Sequence, residues 1–562
     1  MAQIERLLKN LENWDKDERY MACSDMIVEL QKNLKIDAAT ELRICTAILA
    51  RLDDKSNDVQ SKAIQCLGIL LKKVQHQQVL EICDKLCTFI LDVKKDDLRD
   101  IYSIGLKTLV ADVPEQSGRD VAQHLVGRLL SGIAADRLEI KLECLDVLGD
   151  LLRRFGHEMS SDHQSITMVL LDQLLGANSA TGAGAGGGVV AAATAPPTKA
   201  VLKKTTASLG AAAVVLSDSL LNVLVEKLLA SVAAASGETV RTLVQTIGQV
   251  SRSVGFRVGR HLDAIVPLFL KFLGDPADEA LQTDRQSELR ETCFQGFESF
   301  VLRCPREITP HLAALTDVGI AFMKYDPNYC GDDDDAEEDE DEGDDFSDND
   351  YDDDGMDDED DDTSWKVRRA AVKVLAAVVA SRPELLSHFY ACHAGELVSR
   401  FREREENVRL DVIECFTCLV RTTAFAANSR SSPSTFVPWS GSSLSPMATA
   451  DAAAPVALLQ AMLSEVMAAA LKQLAGKDDK SRSAVFSLLK QLCMVLPAGG
   501  MAAFMDKMIV GVTVCLRDKN HSLKLDALVF LRLVVENNHP TQLHAHIPNV
   551  LPLVLDLVQE EW

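Results

Sequence analysis

The chain has 562 residues, of which 47% are hydrophobic and only 5% aromatic. This is ample material for large buried cores, and its Leu-, Ala- and Val-rich balance favours helices over β-sandwiches. The formal charge is −26, yet Asp332 to Asp362 alone holds 23 acidic residues and no Lys or Arg, so the remainder carries only −3. No apolar stretch is long enough to span a bilayer, and the charged opening "MAQIERLLKNLENWDKDERY" has no signal-peptide core, so the chain reads as soluble and intracellular.

In chain order, one pattern recurs. "NDVQSKAIQCLGIL" places Val59, Ala63 and Leu67 on one stripe, with Gln60 beside the first. The same register gives Leu98, Tyr102 and Leu106 with Arg99, then Ile140, Cys144 and Leu148 with Lys141. It returns as Leu289, Cys293 and Phe297 with Arg290, and as Val367, Ala371 and Leu375 with Arg368. Two further copies are Val408, Val412 and Phe416 with Arg409, and Leu523, Ala527 and Leu531 with Lys524. Spacing by four keeps a stripe on one face of a helix, and the polar neighbour is expected to turn outward. Neighbouring copies start 39 to 42 residues apart, each preceded by another amphipathic segment such as "QVLEICDKLCTFIL". A period near forty with two helices per unit predicts an all-α fold, a HEAT-repeat solenoid of about eleven helical hairpins.

Three stretches interrupt the period. Gly176 to Lys199 is Gly/Ala/Pro-rich and falls inside one helix pair, and Ala426 to Pro455 is Ser/Pro-rich and falls between pairs. The acidic run separates "HLAALTDVGIAFMKY" from "SWKVRRAAVKVL", the two helices of one pair. It has almost nothing apolar to bury and repels itself, so it is expected as a solvated loop. Repeats are thus expected over 1–175, 200–330, 364–425 and 456–562, with insertions at 176–199, 331–363 and 426–455. The last block ends in an incomplete repeat, "HAHIPNVLPLVLDLVQEEW". Its stripe Val550, Leu553, Val554 and Leu557 is expected to need a cover, from a further repeat or another chain.

No catalytic constellation is present: there is no phosphate loop, no HExxH and no GxSxG. "GAGAGGG" follows a helix and leads into Ala and Pro, whereas a dinucleotide site needs a strand before it and a helix after. Cys83 with Cys87 and Cys415 with Cys418 lie one turn apart, but no second ligand pair repeats that spacing, so the cysteines read as small core residues. "DYDDDG" starts a calcium-loop pattern with Asp350, Asp352 and Asp354, but its twelfth residue is Asp361 rather than Glu. "RFREREENVR" alternates its signs, which reads as a solvated helix end and not a nucleic-acid stripe. No enzyme activity, cofactor, metal, nucleic acid, membrane or small-molecule substrate is expected.

"YDPNY" (Tyr325 to Tyr329), the acidic run, "SWKVRRAA" and "SRFREREENV" together resemble the cullin-associated neddylation-dissociated family. "DKDERYMACSDMIVELQK", "LRDIYSIGLKTL" and "CFQGFESFVLRCP" extend the resemblance in the family's order. The family protein is about twice as long, and this chain resembles its N-terminal half; the Gly/Ala- and Ser/Pro-rich insertions depart from it. The resemblance implies a cytoplasmic and nuclear, non-enzymatic regulator of cullin–RING ubiquitin ligases. Such a regulator clamps an unmodified cullin with its RING subunit, blocks neddylation and contributes to substrate-receptor exchange. A separately encoded C-terminal half is a further expected partner. Candidate partner-binding residues are Trp365, Arg368 and Arg369 from one motif and Arg400, Arg402 and Arg404 from the other, with Asp332, Asp345, Asp354 and Asp362 marking the acidic loop. The alternative is a karyopherin-like nuclear transport receptor, which "DDDTSW" also resembles.

Overall fold

The computed structural model describes residues 2–32, 37–92, 98–176, 198–278, 281–326, 363–431 and 455–559. These residues form helices and no strands. Contacts divide the chain into two units, Met1–His261 and Leu262–Trp562.

Among its described residues, the first unit contains six helix pairs. They are α1 (Ala2–Leu11) with α2 (Lys16–Gln31), α3 (Ala38–Arg51) with α4 (Asn57–Leu70), and α5 (His76–Leu91) with α6 (Arg99–Asp112). Next come α7 (Glu115–Ala134) with α8 (Leu138–Phe155), α9 (His163–Leu175) with α10 (Lys199–Val215), and α11 (Asp218–Ala234) with α12 (Glu238–Val254). The second unit pairs α13 (Leu262–Leu273) with α14 (Asp284–Arg303) and α15 (Leu312–Met323) with α16 (Ser364–Ser381). The short α17 (Leu386–Cys392) leads to α18 (Ala394–Ser399), which packs on α19 (Glu406–Ser431). Short α20 (Pro455–Ala461) precedes α21 (Leu463–Ala475), paired with α22 (Asp479–Val495). Then α23 (Met505–Leu516) pairs with α24 (His521–Asn537), and α25 (Pro540–Leu543) leads into α26 (Ile547–Gln559).

Second helices stack on second helices, α2 through α12 in one unit and α14, α16, α19, α22 and α24 in the other. This is the repeat architecture that the period predicts. The stripes are its core: Val59, Ala63, Leu67, Val367, Ala371, Leu375, Val408, Val412 and Phe416 are all fully buried. Each of the Val, Leu and Phe side chains contributes roughly 1.5–3 kcal/mol by leaving water, and the alanines less. No pair can bury both of its faces alone, so each one is completed by its neighbours.

The structure corrects the expectation for the polar neighbours of six of the seven stripes; Lys141 is half-buried and reaches Gln173 (3.2 Å). Gln60, Arg99, Arg290, Arg368 and Lys524 are buried, and Arg409 is largely so. Gln60, Arg99, Arg290, Arg368 and Arg409 turn back onto the segment that precedes their own helix. Arg99 donates to the carbonyls of Ile90 (3.0 Å) and Asp92 (3.3 Å), and Arg290 to those of Leu273 (2.9 Å) and Asp275 (3.0 Å). Arg482 reaches Gly476 O (2.6 Å), and Gln60 reaches Asp54 O (2.7 Å). A helix leaves its last carbonyls without partners and carries a partial negative charge there, so a buried cation at that point satisfies both. Arg290 also lies 5.0 Å and 4.9 Å from the rings of Phe322 and Tyr325.

The ends of the insertions also differ slightly from expectation. Lys199 already belongs to α10, whose cap Thr198 accepts from Val201 N through its hydroxyl (3.4 Å). Helix α19 continues to Ser431, past the Ala426 expected to open the Ser/Pro-rich stretch, because "AFAAN" is good helix-forming sequence. The acidic run, including Asp332, Asp345, Asp354, Asp362 and the calcium-like Asp350 and Asp352, lies outside the described residues. Cys83, Cys87, Cys415 and Cys418 are buried core residues, and burial pushes the Cys87 thiol up to about 11.

The expected open stripe on the last helix is also corrected. Val550 and Leu557 are buried, and Leu553 and Val554 are half-buried, all packed into the core that α23 shares. The face left open is the other one, with Ile547, Leu551, Leu555 and Val558.

Candidate functional site

Both candidate motifs meet in the second unit, where the acidic insertion leaves and rejoins the helices. Helix α15 ends at Met323, and Tyr325 and Asp326 lead into the insertion. Helix α16 begins at Ser364 and brings Arg368 under that exit. The loop after α18 brings Glu403 and Arg404 to the same place.

Arg368 is fully buried and serves as the hub. It donates to Tyr325 O (3.0 Å), to the Ser364 hydroxyl (2.9 Å) and to Glu403 Oε1 (3.4 Å), and it lies 3.8 Å from Asp326. Glu403 is buried as well and also pairs with Arg400. Arg404 NH2 donates to Asp326 Oδ1 (2.9 Å) from a half-exposed position. Asp326, the last described residue before the insertion, is therefore held by two cations. On the return side, the Thr363 hydroxyl donates to Asp284 Oδ1 (2.9 Å).

The network runs on to the next pair. Arg409 donates to Glu403 O (2.8 Å), the Ser481 hydroxyl (2.8 Å) and Asp478 Oδ2 (2.8 Å). Partial burial alone would raise the Asp478 carboxyl, but the Ser481 hydroxyl and Arg409 together hold it below the usual carboxylate range. Arg482 then pairs with Asp518 (2.8 Å).

The six candidate partner-binding residues therefore separate by environment. Arg368 offers no contact surface, because its guanidinium is enclosed and bound within the fold. Trp365 is half-buried against the core, with Lys366 5.7 Å from its ring. Arg369 pairs with Asp411 across to α19 (2.7 Å). Arg400 is partly buried on Glu403. Arg402 and Arg404 are exposed, and Arg402 lines a groove with Val398, Phe401, Ala468 and Lys472. Arg409, Asp478 and Glu403 were not among the candidate site residues expected from sequence, and Arg409 was expected only as an outward-facing neighbour of its stripe. For Arg409 the signal was present in the polar position beside each stripe, which is an arginine in four of the seven copies.

No family model matches the chain. It is 36% identical over 572 residues to cullin-associated NEDD8-dissociated protein 2 of Mus musculus, covering 100% of this chain and 43% of that protein. It is also 36% identical over 556 residues to cullin-associated NEDD8-dissociated protein 1 of Arabidopsis thaliana, covering 98% and 42%. Separate N-terminal and C-terminal parts of the Emericella nidulans protein match 48% and 25% of this chain. Among solved structures, Kap121p superposes over 99% of this chain and 47% of its own length with a TM-score of 0.62, at 10% identity, a likeness of fold alone. The chain thus spans less than half the length of the mouse and Arabidopsis relatives. It is a homologue of the N-terminal part of the cullin-associated NEDD8-dissociated proteins.

Proposed function

We propose that this chain is a non-enzymatic regulator of cullin–RING ubiquitin ligases that clamps unmodified cullin–RING cores, blocks cullin neddylation and contributes to substrate-receptor exchange. The observation that carries this reading is the identity, extending along essentially the whole chain, to proteins named for association with cullins and dissociation from NEDD8. The stacked helical pairs suit the task, because each repeat adds surface and a long partner can be gripped at many points. Exposed Arg402 and Arg404 are the candidate contacts that remain accessible. A C-terminal part is the expected second component for receptor exchange. The karyopherin reading has likeness of fold alone behind it.

The test mixes the purified chain with an unmodified cullin–RING core and, separately, with the neddylated form. Co-elution with the unmodified form and slower neddylation in a reconstituted reaction are expected. An absence of binding at micromolar concentration would refute the reading. Release of the substrate-receptor adaptor by this chain alone would refute the division of labour with a C-terminal part.

A further inference from the structure

Most cations near the point where the acidic run leaves the second unit are already committed. Arg404 holds Asp326 (2.9 Å), Lys324 holds Glu396 (2.6 Å), Arg369 holds Asp411 (2.7 Å) and Arg400 pairs with Glu403. Lys366 lies over the Trp365 ring. Arg402 and Lys472 differ: both are exposed, and neither forms an ion pair among the described residues. They belong to one groove. Helix α18 and the turn after it pack against α21, and the space between them measures about 310 Å³. It is lined by apolar Val398, Phe401 and Ala469, by the two cations Arg402 and Lys472, and by one acid, Glu465. This volume lies at the small end of the roughly 300–1,000 Å³ of ligand pockets, enough for one aromatic side chain.

The acidic run starts beside this groove. Asp326 is held by Arg404, and Arg404 is two residues from Arg402, a separation of at most about 7 Å along the backbone. From Asp326 to Phe346 the chain has 20 residues, a reach of about 65 Å, and from Tyr351 to Thr363 it has 12, about 40 Å. Chain length therefore limits neither approach to the groove nor return from it. Phe346 and Tyr351 are the only aromatic residues of the run, and "DDFSDNDYDDDG" sets both among carboxylates. An apolar groove with two uncommitted cations is the complement of that pattern. Charge alone does not choose this site, because two cations beside one acid leave a single net charge, screened beyond about 8 Å at physiological salt. The apolar lining adds what charge lacks.

We propose that the groove between α18 and α21 is the docking site of the chain's own acidic run. Phe346 or Tyr351 packs on Val398, Phe401 and Ala469, and the carboxylates beside it meet Arg402 and Lys472. A tethered segment meets its site at a local concentration on the order of millimolar, so an intrinsic Kd near 0.1 mM keeps the groove about 90% occupied. Arg402 is also an accessible candidate contact for the cullin–RING core. The docking stands apart from that reading, but one consequence rests on it: the run shields Arg402, and a partner that needs Arg402 binds about tenfold more weakly until it displaces the run.

The test treats the full chain with a carbodiimide, which couples a lysine amine to a carboxylate in contact with it, and reads the linked peptides by mass spectrometry. Lys472 is expected to couple to carboxylates of Asp344–Asp354 within one chain, about tenfold more than exposed Lys507 or Lys519. Phe346→Ser/Tyr351→Ser keeps every charge and is expected to lower that coupling about tenfold, as for loss of an aromatic anchor. Arg402→Glu is expected to lower it to a similar degree, about tenfold, by placing like charges together. Unchanged helical content by circular dichroism shows that the variants fold. Equal coupling of Lys472, Lys507 and Lys519 overturns the proposal, and so does undiminished coupling in Phe346→Ser/Tyr351→Ser. Coupling between two chains, seen as a linked dimer, overturns it as well, since the occupant would then be a second copy. Binding to the cullin–RING core is measured in parallel, and Phe346→Ser/Tyr351→Ser is expected to bind about tenfold more tightly than wild type. Equal affinity despite lost coupling refutes the shielding of Arg402, whereas no core binding by any form refutes the proposed function and leaves the docking to be judged by the coupling.

Discussion

Replacing Arg368 with alanine removes the one cation that touches Tyr325 O, Ser364 and Glu403 at once. Arg368 is fully buried and the Glu403 side chain is 1% exposed, so neither water nor rotation can compensate for the loss. Breaking a buried pair from one side costs about 3–5 kcal/mol, because the partner charge stays behind. Arg400 remains beside Glu403, so the lower end applies, near 3 kcal/mol. At about 1.4 kcal/mol per tenfold, this raises the local opening equilibrium by roughly two orders of magnitude. Hydrogen exchange followed by mass spectrometry on peptides from α15, α16 and α19 reads that change directly. Arg369→Ala is the control, since its partly exposed pair with Asp411 is worth about 0.2–1 kcal/mol and shifts exchange only a few-fold. Arg368→Met combined with Glu403→Gln removes both charges and is expected to recover much of the loss. Equal effects of Arg368→Ala and Arg369→Ala, or less than tenfold faster exchange in Arg368→Ala, would refute the hub.

Three further outcomes are expected. Asp478→Asn destabilises the second unit at neutral pH; because the folded carboxyl lies below its ordinary 3.8, the contribution is present above about pH 4 and is lost as pH falls through the lower folded value, so urea titrations of variant and wild type should converge there. Replacing Asp332–Asp362 with a short Gly/Ser bridge should move the melting temperature by less than about 2 °C, since Asp326 and Thr363 are held by folded residues and loop-closure cost changes slowly with length. In native maleimide labelling read by mass spectrometry, exposed Cys392 should react while buried Cys87 and Cys144, pushed up to about 11 and about 12, stay protected until denaturant is added.

The sequence by itself determined the helices, their pairing and the repeat. Stripes such as Val367, Ala371 and Leu375 need only a spacing of four, and a period near forty leaves no other way to bury them. What it could not determine was which helix face a neighbour covers. Arg368 and Arg409 sit one residue off a stripe, which on an isolated helix points partly to solvent. Only the hairpin, by folding the end of the preceding segment back over that position, turns them into buried caps on Tyr325 O and Glu403 O. The same limit applies to α26, where two apolar stripes share one helix. Packing against α23 buried Val550 and Leu557 and left Leu551 and Leu555 open, because a helical period fixes which residues share a face, whereas only the neighbouring helix fixes which face goes inside.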